Sequence, residues 1–304
     1  MPELSVNLCG ITLPNPTVLA SGILGTTRAL AARVARCGAG AVTIKSISTE
    51  PRYGHPNPCI ITFDAGMMNA VGYSNPGIEE ALQEFADLGE VEAPVIASVI
   101  GRTPEEFANV AMRLAALPFA AIELPLSCPH TPGYGTLAGQ GSPEATAAIT
   151  SAVRGVTTKP IFVKVSPNIP TLGDSCRAAE ANGADAITAV NTLGPGMIIN
   201  IEAREPVLDF KMGGVSGPAL RPIAVRCVYD IYQAVRIPII GTGGVSTGRH
   251  AIEMMMAGAT AVGVGTAVWQ RGMEAFDAIT AEMAEWMEAN NISEVKELIG
   301  AAHE

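Results

Sequence analysis

Short apolar runs alternate with longer amphipathic stretches along almost the whole chain. The runs are rich in Val, Ile, Ala and Thr and are bounded by Gly, Pro, Asn or Asp, as buried strands are. They fall at 17–20, 41–45, 94–99, 120–124, 160–165, 185–190, 238–242 and 260–264. Between them, apolar residues recur every three or four positions. That spacing predicts helices over 28–37, 76–88, 104–115, 143–156, 173–182, 218–235, 247–257 and 273–289. Thr103-Pro104 and Ser142-Pro143 place a capping hydroxyl and then a Pro at the first helical position. A Gly-Ala pair recurs ahead of strands, at Gly38-Ala39, Gly183-Ala184 and Gly258-Ala259, and reads as a repeated helix-ending turn.

Strands alternating with helices allow an open doubly wound sheet or a closed (β/α)8 TIM barrel. An open sheet normally carries its phosphate-binding glycines after the first strand. Here the Gly-rich turns, Thr242-Gly243-Gly244-Val245 and Gly263-Val264-Gly265-Thr266, follow the last two strands, which is the habit of barrels. The expectation is therefore α/β, one barrel domain spanning 1–304. Two short apolar runs around Cys9-Gly10 add a small N-terminal β-hairpin outside it. The connections 46–75, 125–141 and 191–217, after strands two, four and six, are long enough to build a binding site or lid.

Charge and cysteine usage narrow the function. The 304 residues are 48% hydrophobic and 16% charged, with a formal net charge of -10. No Lys/Arg cluster is present to neutralise phosphates, which argues against nucleic acid or an anionic membrane as partner. The six cysteines are scattered and form no C-x-x-C pair, consistent with reduced thiols in a cytoplasm. The start, MPELSVNLCG, lacks the basic and apolar regions of a signal peptide, and no apolar run reaches the ~18 residues of a membrane span.

Candidate chemistry gathers at the ends of the strands. Ser21-Gly22, Lys45-Ser46, Ser98, Ser127-Cys128, Lys164, Asn191-Thr192, Gly243-Gly244 and Gly265-Thr266 all fall on one rim. Lys45 and Lys164 end otherwise apolar strands. Each either extends to solvent at the barrel mouth or meets an anionic or electron-rich ligand. Two lysines together with two Gly-rich turns favour a shared ligand, with phosphate against backbone N–H groups. Cys37, Cys176 and Cys227 fall in predicted helices and read as packing, Cys9 in the hairpin and Cys59 in a loop. Cys128, beside Ser127, Pro129 and His130 in a Pro- and Gly-rich loop, is the thiol placed to act as nucleophile or general base.

These residues resemble a known family. Ala20-Ser21-Gly22, Ile44-Lys45-Ser46, Met68-Asn69-Ala70-Val71-Gly72, Leu126-Ser127-Cys128-Pro129, Val163–Asn168, Gly214–Pro218, Gly241–Val245 and Gly263–Thr266 match the class 1 dihydroorotate dehydrogenases in order over the whole chain. The match is nearest the NAD-linked 1B catalytic subunits. The resemblance implies FMN across the barrel mouth. Ser21, Lys45, Ser46, Lys164 and Val190 would meet the flavin and its ribityl chain, with Ser98 at a position where the family has a flavin-contacting Asn. Gly217, Gly243, Gly244, Gly265 and Thr266 would hold the phosphate. Lys45, Asn69, Ala70, Val71, Gly72 and Tyr73, with Asn191 and Thr192, would bind the dihydropyrimidine. Cys128 would take the proton from C5 while the C6 hydride passes to flavin N5.

The chain departs from the family pattern at three places. Pro125, His130 and Ser98 stand where Asn is usual, and all three bear on substrate choice. A Ser-Cys-Pro-His run and a Gly-Gln pair such as Gly139-Gln140 also occur in dihydropyrimidine dehydrogenases, so reduction of uracil or thymine is the alternative. A barrel that binds FMN or a sugar phosphate without redox chemistry is a third reading. The resemblance further implies a homodimer and a second subunit carrying FAD and a [2Fe-2S] cluster that passes electrons to NAD, with fumarate or a quinone as other acceptors.

Overall fold

Backbone pairing in the computed structural model, which describes residues 2–126 and 140–303, closes a barrel of parallel strands. The chain opens with β1 (Val6–Leu8), β2 (Ile11–Leu13), β3 (Thr17–Leu19), α1 (Arg28–Arg36) and β4 (Ala41–Thr43). Next come β5 (Ile60–Phe63), β6 (Gly66–Asn69), α2 (Ile78–Glu84), β7 (Val95–Ser98), α3 (Pro104–Ala115) and β8 (Ala121–Pro125). Then follow α4 (Pro143–Arg154), β9 (Ile161–Val165), α5 (Leu172–Ala181), β10 (Ala186–Ala189), β11 (Leu193–Gly196), β12 (Ile199–Asn200), β13 (Glu205–Pro206) and β14 (Gly213–Ser216). The last are α6 (Arg221–Ala234), β15 (Ile239–Thr242), α7 (Gly248–Met256), β16 (Ala261–Val264), α8 (Ala267–Arg271) and α9 (Ala275–Ala289).

The barrel order is β3-β4-β7-β8-β9-β10-β15-β16, and β16 returns to β3 with Val262 opposite Thr17. Each barrel strand is one that the apolar runs predict. The runs are apolar on both faces because one face packs on helices and the other fills the interior. Residues of β7, β8, β9 and β10 are buried throughout. The helices follow from their own sequences. In α3 the Thr103 hydroxyl accepts from the Glu106 N–H, Pro104 holds the first turn, and Phe107, Val110, Ala111 and Leu114 form the buried stripe. Ser142 and Thr247 cap α4 and α7 in the same way. The recurring Gly-Ala turns close helices as expected, with Gly38, Gly183 and Gly258 at positive φ.

β1 and β2 form the expected hairpin, although it is not detached from the main fold. Val6, Leu8 and Leu13 join the main hydrophobic core. The Cys9 thiol donates to the Asp185 carbonyl just before β10, which places the hairpin under the amino ends of the strands.

The long connections contain strands that the apolar pattern does not announce. β5 and β6 follow barrel strand β4, and β11 to β14 follow β10. β5, β6, β11 and β14 join in an antiparallel sheet of order β11-β14-β6-β5, with Gly214 opposite Asn69 and Ser216 opposite Met67, while β12 and β13 pair separately. Met68, Ala70 and Leu208 make a small core beneath it. This sheet stands over the carboxyl ends of the barrel strands and carries Met67, Asn69 and Ser216 to the cavity described next.

Candidate active site

A cavity of about 190 Å3 opens at the carboxyl ends of the barrel strands. Ser21 and Gly22 follow β3, Lys45 and Ser46 follow β4, and Lys164 reaches it from β9. Val190, Asn191 and Thr192 line it just past β10. Gly217, Gly243, Gly244, Gly265 and Thr266 line it from the turns after β14, β15 and β16. Asn69, Val71, Gly72 and Tyr73 descend from the overlying sheet. Two expected residues stand behind the wall. Ala70 is fully buried in the small core, and Ser98 is buried against Ser46, their hydroxyls 2.8 Å apart. Cys128 and His130 lie outside the described residues.

Lys164 does not extend into solvent. It is 5% exposed, and its Nζ donates to Ser21 Oγ at 3.1 Å. Glu123, on the neighbouring strand, lies 3.9 Å from the same nitrogen. Burying an ammonium among apolar strands is costly unless partners replace water, so these contacts define a charge held on purpose at the cavity floor. Lys45 lies on the β3 side, where a Cβ added to Gly22 would come within 3.8 Å of its Nζ.

The opposite end is a backbone cradle. Gly244 has φ +73, and a Cβ there would meet the Gly217 carbonyl oxygen and the Arg221 Cβ, each at 2.7 Å. Side chains are therefore excluded, and the backbone of the turn lies bare against the start of α6. Thr266 Oγ1 donates to Ser216 Oγ at 2.9 Å, which links the last barrel turn to the overlying sheet. Ser246 Oγ lies 3.2 Å from His250 Nδ1. Burial, with the Arg221 guanidinium nearby, lowers the His250 pKa below its ordinary value. The ring is therefore neutral at pH 7.

Burial acts strongly on three of the described thiols. Burial pushes Cys9 and Cys176 up to about 12 and Cys227 to about 11, so none of these forms a useful thiolate near neutrality. No described cysteine lines the cavity. Tyr73, at φ +58, directs its hydroxyl to the Pro125 carbonyl at 3.5 Å. Gln140 is buried and donates to the Gly101 carbonyl at 2.9 Å, tying the chain just ahead of α4 to the turn after β7.

The family model for dihydroorotate dehydrogenase matches residues 3–287. This chain belongs to the dihydroorotate dehydrogenase family. Among its relatives is a protein of Methanosarcina acetivorans named dihydroorotate dehydrogenase B (NAD(+)), catalytic subunit. The two are 47% identical over 98% of this chain and 96% of that one. A protein of the same name from Pyrococcus abyssi is 44% identical over 98% and 99% of the two chains. A crystal structure of DHODH from Eimeria tenella, in complex with ferulenol, superposes with a TM-score of 0.86 over all of this chain and 89% of that one. At 23% identity that likeness speaks to the fold alone.

For a dihydroorotate dehydrogenase, the cavity also holds residues that motif reading passes over. Ser216 sits inside the quoted Gly214–Pro218 run, yet its hydroxyl bridge to Thr266 depends on pairing with a strand some 150 residues earlier. Gln270 comes from α8, a helix of 5 residues too short to show a periodicity. Glu123 lies outside the cavity lining but had a visible signal, a lone carboxylate in the apolar run Ala121–Pro125.

Proposed function

We propose that this chain oxidises dihydroorotate to orotate in the synthesis of UMP, with FMN as its cofactor. The observation that carries this reading is the pairing of a buried ammonium at one end of the cavity with a side-chain-free glycine cradle at the other. That is the donor set a flavin mononucleotide needs: charge beside the ring and backbone N–H groups at the phosphate. Ser21, Lys45, Ser46, Lys164 and Val190 would hold the ring and ribityl chain. Ser98 acts behind Ser46. Gly217, Gly243, Gly244, Gly265 and Thr266 would take the phosphate.

Dihydroorotate loses a proton from C5 and a hydride from C6 to become orotate. When bound, FMN supplies the acceptor for that hydride. The proton is the protein's task, and Cys128 is its base. Asn69 with the Ala70–Tyr73 run, and Asn191 with Thr192, would orient the pyrimidine, because an amide offers donor and acceptor on one edge. Tyr73 and Pro125 close the side where the family usually places another amide. The comparisons lend no support to reduction of uracil as the alternative.

Electrons must then leave, and the relatives' names speak of NAD(+) and of a catalytic subunit. The reading extends to an FAD and [2Fe-2S] partner subunit, a homodimer of this chain and a cytoplasmic setting. Among the described residues, no helix is long and apolar enough to cross a membrane. An apolar rim of Ile23, Ile60 and Trp269, each at least 40% exposed, adjoins the cavity and supports docking of a partner there. Co-purification of an iron-containing subunit tests it.

The primary test is the visible spectrum of the purified protein under anaerobic conditions. Dihydroorotate should bleach the flavin band, and dihydrouracil should not. A spectrum unmoved by dihydroorotate, beside turnover of uracil, would reverse the assignment. The cradle has its own test. Gly244→Val should weaken FMN at least tenfold, about 1.4 kcal/mol, in a fluorescence titration of the apoprotein.

A further inference from the structure

Glu123 is a charge that the reaction scheme leaves unused. It is 3% exposed, lies in the middle of β8, and does not line the cavity. Its Oε2 accepts from Thr188 Oγ1 at 3.1 Å. β8 and β10 are not neighbours in the sheet, so this contact runs through the barrel interior. Its Oε1 has no hydrogen-bond partner and lies 3.9 Å from Lys164 Nζ. Thr188 is also directly opposite Lys164 in the strand register. Carboxylate, hydroxyl and ammonium therefore occupy adjoining places beneath the cavity floor, and the ammonium turns up to Ser21.

A buried carboxylate with one orphan oxygen is expensive unless its charge is matched. Lys164 is the one described cation paired with it. The separation of 3.9 Å is too long for a hydrogen bond, and it leaves the ammonium's donors for Ser21 and the cavity. At that distance the Coulomb attraction inside the barrel is still large. The arrangement draws Lys164 toward the carboxylate without consuming the donors it offers upward.

We infer that Glu123, fixed by Thr188, is a positioning residue that holds Lys164 aimed into the cavity. The inference rests on the reading of the cavity as an FMN site. Removing the Glu123 charge leaves no described anion beneath Lys164, and the ammonium is then held only from above, by Ser21.

The test uses sulfite, an anion that adds to bound flavin and senses positive charge beside the ring. Holoenzyme carrying Glu123→Gln is titrated with sulfite beside the wild type at one pH. Loss of the anion alone would strengthen sulfite binding, so a weakening reads an ammonium no longer aimed at the ring. We expect sulfite affinity to fall by about tenfold or more. In a Lys164→Met background, Glu123→Gln should cause no such loss. An affinity unchanged or raised in Glu123→Gln, or an equal loss in the Lys164→Met background, overturns the inference. Thr188→Val, which leaves the carboxylate in place but unfixed, should show the same loss more weakly. If Glu123→Gln does not fold, an unchanged affinity for Thr188→Val overturns the inference instead. A wild-type protein that takes up no FMN would refute the cofactor reading itself, which is a different result.

Discussion

Alanine at position 128 is expected to reduce kcat for dihydroorotate by about 10²–10⁴-fold, the usual worth of a positioned general base. Flavin content, read from the visible spectrum, should stay near wild type, because the groups assigned to FMN lie on other strands. Cys128 lies outside the described residues, and its role rests on the Leu126-Ser127-Cys128-Pro129 run. Among the described cysteines, Cys9, Cys176 and Cys227 are pushed far above neutrality by burial, and none lines the cavity. The sign of the pH dependence follows from the chemistry. A thiol acts as base only when ionised, so wild-type kcat should rise with pH through the ordinary thiol range near ~8.5. Serine at position 128 has no ionisation in that range, and its residual rate should lack that step. A Cys128→Ala enzyme with full activity would remove Cys128 from the mechanism.

Methionine in place of Lys164 should have two separable effects. Loss of the charge at the cavity floor should lower kcat by about 10²–10³-fold, the scale of one preorganised electrostatic contact. It also leaves the Glu123 carboxylate buried with no cation, which should cost about 3–5 kcal/mol of stability. Urea unfolding of the apoproteins measures the second effect without reference to flavin. Adding Glu123→Gln to Lys164→Met should return much of the lost stability, because removing both charges together is far less costly than removing one. Activity should not return with it. A double variant as unstable as Lys164→Met would mean that the two groups do not share their burial.

Much of the fold could be read before any coordinates. Barrel strands showed as apolar runs because parallel strands covered on both faces have little room for polar residues. Helix starts at Thr103-Pro104 and Ser142-Pro143 showed because capping is local chemistry. The sheet over the barrel mouth did not show. Leu193-Gly194-Pro195-Gly196 and Gly213-Gly214-Val215-Ser216 have no alternation, and their pairing is set by partners far away in the chain. Ser98 illustrates the same limit. Its place at a strand end suggests direct contact with a ligand, but register sets it behind Ser46.

What the sequence determined by itself was the count and order of the barrel elements, the rim on which Lys45, Lys164 and the two Gly-rich turns fall, and the family they resemble. Each of these depends on residues near one another in the chain or on ordered motifs. What the tertiary structure alone decided was that Lys164 stays buried between Ser21 and Glu123, that Thr188 reaches Glu123 through the barrel, and that Ser216 joins Thr266. Those contacts join segments as much as 143 residues apart. Closing the barrel is what makes them neighbours, and a linear pattern carries no record of that closure.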